Sequence, residues 1–180
     1  MIYNYKEVIS IYKNNYQLQK ALDNKEIYKI ESGLYSNNEF VNYLLIIKKK
    51  YPNAIFTSDS AYYYHNLTDV IPQFYFLATH VKAAKINDNK IKQVYVAQDK
   101  FELGISKLVV NGIEIKIYDK EKLLIDLIKN SEKIPFDYYK EIINNYRNIC
   151  NELDMDKLSN YLNYYKNDIE LFSKIQKEVF

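Results

Sequence analysis

Asn111-Gly112 lies between two apolar runs, residues 107–110 and 113–118, and no other dipeptide restricts the folding of this chain so tightly. A two-residue type I′ turn needs positive φ at both central residues, and Asn-Gly supplies it at least cost. The flanking residues must then form an antiparallel hairpin. Ile113, Ile115 and Ile117 alternate with Glu114 and Lys116, so one face of the second strand is apolar and the other polar. The hairpin closes a mixed sheet against which helices can pack.

The rest of that sheet is organised around residues 58–72, SDSAYYYHNLTDVIP. Ser58 is placed to cap a helix, and Asp59 stands in its first turn, where the helix dipole favours a carboxylate. An aromatic run follows. His65-Asn66 ends the helix, Asn being tolerated in the left-handed conformation of many helix ends. Pro72 sends the chain on in extended form, so residues 73–79 read as a strand, with 54–56 as a short buried strand before the helix. Residues 92–96 read as another strand, reached through a polar linker over 80–90 that carries Lys82, Lys85 and Lys90. Upstream, Asn37 caps a helix over 38–51 with Phe40, Val41, Leu44, Leu45, Ile47 and Tyr51 on its apolar face. Its Lys48-Lys49-Lys50 complements the negative end of the helix dipole. Downstream, Asp119 caps a helix through residue 130, with Leu123, Leu124, Leu127 and Ile128 inward. Helices over 135–150, 155–165 and 168–178 complete a helical final third.

At the start of the chain, residues 5–12 place Val8, Ile9, Ile11 and Tyr12 on a helical apolar face. A second short helix, residues 16–22, sets Leu18, Ala21 and Leu22 against the first. Two short strands, 26–30 and 34–36, follow, and Gly33 between them can take positive φ. Helix, helix and hairpin form a winged helix-turn-helix, in which the second helix can enter a major groove while the hairpin meets the flanking backbone. Gln17, Gln19 and Asn24 carry the amides that pair bidentately with adenine, and Lys20 suits guanine or phosphate. Tyr16 stands beside them on the helix, and Lys25 and Lys29 on the wing are placed to reach phosphates. Residues 1–36 hold five lysines and four acidic residues, so a solvated helix face is the plain alternative. The expected fold is α+β: a winged-helix domain over 1–36, then a domain over 37–180 that contains the sheet through 118 and helices from 119.

A formal net charge of +2 announces no whole-chain basic field, so nucleic-acid binding must come from a local patch. Cys150 is the only cysteine, which excludes an internal disulfide and a cysteine zinc cluster and fits a reducing compartment. The opening residues lack an apolar signal-peptide core, and no run approaches the roughly 18 apolar residues of a membrane span. A soluble cytoplasmic protein without cofactor or metal is the expectation. His65, Asp69 and Asp126 are the best candidates for catalysis or metal binding, but the chain has no HExxH, no clustered His and Cys, and no Gly-rich phosphate loop. Ser58 and Ser60 lack a GxSxG context, so capping accounts for them.

Three separated runs coincide with a known family. KIESGLYS over 29–36, SAYYYHNLTDVIP over 60–72 and IYDKEKLLIDLI over 117–128 resemble the AbiEi antitoxins of bacterial type IV toxin–antitoxin (abortive infection) systems. The first looks like that family's wing ending in Gly-x-Tyr, here Gly33 and Tyr35. The second is similar to its core helix, Ser-Ala-Leu-Tyr-x-His-Gly-Leu-Thr-Asp, matched at Ser60, Ala61, Tyr63, His65, Leu67, Thr68 and Asp69, with Pro72 beyond. The third is similar to its Tyr-Asp-x-Glu-Arg-Thr helix start, matched at Tyr118, Asp119 and Glu121, with Asp126 following. Asn66 replaces the usual Gly, Lys122-Leu123 replaces Arg-Thr, and the N-terminal domain has room for two helices before the wing where the family has three. The resemblance implies a transcriptional regulator, not an enzyme. It would bind its own operator DNA and counteract a nucleotidyltransferase-type toxin without a stable complex between them. A homodimer on paired half-sites is compatible with that role. Two other classes stay open: a protein-interaction module without DNA binding, and a small hydrolase or nuclease using His65, Asp69 and Asp126.

Overall fold

Nine α-helices and eight strands make an α+β chain, described over residues 1–180 by a computed structural model. They divide into two units, Met1–Pro52 and Asn53–Phe180.

In the first unit, β1 (Ile2–Asn4) leads into α1 (Tyr5–Tyr12), α2 (Asn15–Asp23), β2 (Tyr28–Glu31), β3 (Leu34–Ser36) and α3 (Tyr43–Lys50). Asn4 opens α1 with a capping box: its side chain accepts from the Glu7 N–H, and the Glu7 carboxylate accepts from the Asn4 N–H at 2.7 Å. Both are donors that a helix start leaves unpaired. Lys13 turns the chain at φ +69°, and Asn14 caps α2 by accepting from the Gln17 N–H at 2.9 Å. Val8, Leu18, Ala21, Ile27 and Tyr35 form the core. Val8, Leu18 and Ile27 there each contribute about 1.5–3 kcal/mol relative to exposure.

The strands pair in the order β1-β3-β2, all antiparallel, and Gly33 takes φ +78° at the hairpin turn. β1 is absent from the sequence reading, because three residues are too few to show alternation. Helix α3 starts at Tyr43 instead of residue 38, since the Asn42 side chain caps it by accepting from the Leu44 N–H at 2.9 Å. Phe40, expected on its apolar face, is 88% exposed. Ion pairs of Lys49 with Glu7 at 2.6 Å and Lys50 with Glu31 at 3.0 Å tie α3 to α1 and β2. The first unit therefore includes a helix that the sequence reading assigned to the sheet domain.

The second unit contains β4 (Ile55–Phe56), α4 (Ser58–Tyr64), β5 (Tyr75–His80), β6 (Ile91–Val96) and α5 (Gln98–Phe101). After these come β7 (Ile105–Val110), β8 (Ile113–Tyr118), α6 (Lys120–Lys129), α7 (Phe136–Asn148), α8 (Met155–Leu162) and α9 (Asp168–Val179). The sheet is mixed, in the order β6-β5-β4-β8-β7, with β5–β6 and β4–β8 parallel. Asn111 and Gly112 both take positive φ, +50° and +77°, and bring Val110 opposite Ile113. Leu123, Leu124, Ile125 and Leu127 of α6 are all fully buried. A helix apolar on several sides is covered on several sides, here by α4, α8 and α9. No helix of the chain is long and apolar enough to cross a membrane.

Candidate functional site

By turning Leu18 and Ala21 inward, α2 leaves Tyr16, Gln17, Gln19, Lys20 and Asp23 on one solvent-facing surface. Tyr16 is 75% exposed. Two of the expected base-reading amides have neighbours on that surface. Gln19 Nε2 donates to Asp23 Oδ1 at 2.9 Å, and Asn24 Nδ2 donates to Glu26 Oε1 at 3.1 Å. Each keeps its carbonyl oxygen as an acceptor, and each brings a carboxylate close to the positive groups. Lys29 is exposed on β2, across from Tyr35 in the register. Lys25 is exposed at φ +59° in the α2–β2 connection, so it stands outside the hairpin proper. Tyr35 serves the core.

The central motif builds junctions. Ser60 is fully buried; its hydroxyl donates to the Phe74 carbonyl at 3.2 Å and accepts from the Phe76 N–H at 2.8 Å, joining α4 to β5. Ser58 does not cap. It is the first residue of α4, at φ +46°, while the cap position falls to Thr57, whose side chain makes no cap hydrogen bond. Ala61 is fully buried, and the Tyr63 ring lies tilted against Tyr64 with centroids 5.7 Å apart. His65 Nε2 lies 2.8 Å from the Tyr118 carbonyl oxygen, which can only accept, so Nε2 carries the proton. Burial pulls the His65 pKa below its ordinary 6.5, with that hydrogen bond acting in the other direction. Asn66 takes φ +58°, the left-handed conformation expected of it.

The buried Leu67 and Thr68 fasten this segment to α7. The Leu67 carbonyl accepts from Asn145 Nδ2 at 3.1 Å, and Thr68 Oγ1 donates to Glu141 Oε1 at 2.7 Å. The Asp69 N–H donates to the same Glu141 oxygen at 3.1 Å, leaving the Asp69 side chain exposed. Pro72 is half-buried beyond the exposed Val70 and Ile71. No hydrogen bond joins any two of His65, Asp69 and Asp126. No group of three or more His, Cys, Asp or Glu side chains is placed to hold a metal ion.

The third motif frames a buried cation. Tyr118 is fully buried and its hydroxyl donates to the Phe101 carbonyl at 2.9 Å. Asp119 caps α6 by accepting from the Lys122 N–H at 2.9 Å, and also accepts from the Tyr161 hydroxyl at 3.0 Å. Burial raises its carboxyl above the ordinary 3.8, while both hydrogen bonds act to lower it. Glu121, also buried, accepts from the Asp154 N–H at 2.8 Å at the start of α8. Lys122 is 1% exposed; its ammonium donates to Asp126 Oδ2 and to the Tyr165 hydroxyl, each at 2.7 Å. The Tyr165 hydroxyl donates in turn to Asp126 Oδ1 at 3.0 Å, closing a triangle. Burial and the Asp126 carboxylate hold the Tyr165 phenol far above its usual range. Sequence reasoning met Lys122 only as a replacement for the family's Arg, and passed over Tyr165. The available signal was a Lys four residues before an Asp, the spacing at which such side chains meet on a helix.

No protein-family model matches the chain, and no curated protein is significantly similar to it.

Proposed function

We propose that the chain is an antitoxin and DNA-binding autorepressor of a type IV toxin–antitoxin operon, acting in the cytoplasm against a nucleotidyltransferase-type toxin encoded beside it. The supporting observation is the α2 surface: Tyr16, Gln17, Gln19 and Lys20 face solvent together, beside the β2–β3 hairpin, while Leu18 and Ala21 hold the helix down. Gln17 and the acceptor oxygen of Gln19 read base edges in the major groove, and Lys20, Lys25 and Lys29 neutralise phosphates. The antitoxin half rests on the resemblance of residues 60–72 and 117–128, two runs that meet where His65 bonds the Tyr118 carbonyl.

The test is binding of the purified protein to the DNA upstream of its own gene, against a scrambled duplex, over a salt series. Selective binding is expected, and Gln17→Ala relaxes the selectivity. Each of Lys20→Ala, Lys25→Ala and Lys29→Ala lowers the log–log salt slope by about 0.9. Equal affinity for both duplexes overturns the repressor half.

One observation favours a second reading. Asp23 lies within the α2 surface, and Glu26 beside it, so this face offers both signs of charge. A protein-interaction module without DNA binding would use such a mixed surface, and sequence-blind, weak DNA binding would select it.

A further inference from the structure

A cavity of about 490 Å³ opens in the second unit among α5, α6, α9 and the segment before α9. Its size falls within the roughly 300–1,000 Å³ of small-molecule sites. Four lysines line it, Lys100, Lys129, Lys166 and Lys174, against two carboxylates, Glu132 and Glu170. Three ammonium groups gather on one ring of its wall: those of Lys100, Lys122 and Lys129 lie 5.4, 5.4 and 5.3 Å from the centroid of Tyr165.

Within the chain, these cations are only partly answered. Asp126 takes Lys122 at 2.7 Å and Asp99 takes Lys100 at 2.6 Å. Glu170 accepts from Asn167 Nδ2 at 3.4 Å and pairs with no lysine. Lys174 reaches only the neutral hydroxyl of Ser131, at 2.8 Å, and neither Lys129 nor Lys166 has an ion-pair partner. Lys129 and Lys166 are exposed at the mouth of this concave site and Lys174 is half-buried, and a cleft lined by an excess of one sign of charge concentrates counter-ions from solution.

We propose that this cavity binds a small anion bearing a phosphoryl group, held by Lys129, Lys166 and Lys174. A phosphate monoester carries about two negative charges near neutral pH, enough to answer several ammonium groups at once. Lysine serves such an ion as a point charge that needs no planar docking geometry. The Ser131 hydroxyl, which accepts from Lys174, still has its own proton to donate. This site is built wholly from residues of the second unit and does not depend on the repressor reading.

The experiment uses the full chain, titrated by calorimetry and thermal shift with inorganic phosphate against chloride at matched ionic strength. A second arm uses a nucleoside 5′-monophosphate. Saturable binding beyond the chloride effect is expected. Lys129→Ala and Lys174→Ala each weaken it by about tenfold or more, as loss of one charge-assisted contact predicts. Lys129→Arg retains it, and Lys107→Ala, on the edge strand β7, leaves it unchanged. Tighter binding of the nucleotide identifies a phosphorylated metabolite and equal binding a free phosphate, and either supports the site. No effect beyond chloride overturns the proposal, as does saturable binding that persists in the Lys129→Ala/Lys174→Ala double variant when its folded state is verified by circular dichroism.

Discussion

Lys122 is the one lysine that the fold removes from water, and the consequences of touching it are asymmetric. Its partner Asp126 keeps about a quarter of its side chain exposed, against 2% for Lys122. Asp126→Ala strands a buried ammonium, which should cost about 3–5 kcal/mol. Lys122→Met leaves an unbranched apolar chain in the same space and a carboxylate that water can reach, so it should cost clearly less. Urea unfolding of the two variants tests that order; a smaller loss for Asp126→Ala would contradict the burial argument. His65 provides the pH counterpart. Its folded pKa lies below 6.5, so the unfolded chain binds the extra proton more readily, and the contribution is complete above 6.5 and lost as pH falls through the lower folded value. His65→Asn should flatten the acid limb of a thermal-stability profile. Asn66 and Asn111-Gly112 were legible because local backbone chemistry alone sets their conformations. The Lys122–Tyr165 contact was not, since 43 residues separate its ends and nothing local announces a partner that distant.

Among the elements, those whose apolar pattern and cap lie within a few residues were readable: α1, α2, both hairpins and α6 with its Asp119 cap. Misplaced ends had competing caps. Asn37, Asn38 and Asn42 all precede α3, and only the last sits against the residues that become buried, Leu44, Ile46 and Ile47. The four-residue α5 and the three-residue β1 carry too little pattern to show. Gly104 was passed over because its role depends on a neighbour across the strand–helix junction. It takes φ +69°, accepts from the Asp119 N–H at 2.7 Å, and a Cβ there would stand 2.5 Å from Asp119 Oδ1 and 2.6 Å from Lys122 Cβ. Gly104→Ala must strain the backbone and displace the α6 cap together. A loss of at least about 2 kcal/mol is expected from these two effects, and a denaturation midpoint within error of the parent would refute the close approach.

At the scale of the whole molecule, each unit has hydrogen bonds and a core of its own. Opening free energies follow such units, since amides exchange when their own cooperative segment opens. Asp126→Ala should therefore lower hydrogen-exchange protection through α6, β8 and α9 while α2 and β3 keep theirs; equal loss in both units would show that they unfold together. The same variant separates the two halves of the proposed function. Its α2 surface is untouched, so operator affinity and salt slope should match the parent at a temperature where α2 stays protected. The motifs carrying the antitoxin resemblance lie on the destabilised side, because Asp119, Glu121 and the Tyr118 carbonyl that holds His65 are all placed by the start of α6. Co-expression with the neighbouring toxin should then show weakened rescue at the upper end of the growth range, with repression of a reporter behind the native promoter retained. Loss of repression alongside full rescue would reverse the assignment of the two activities to the two units.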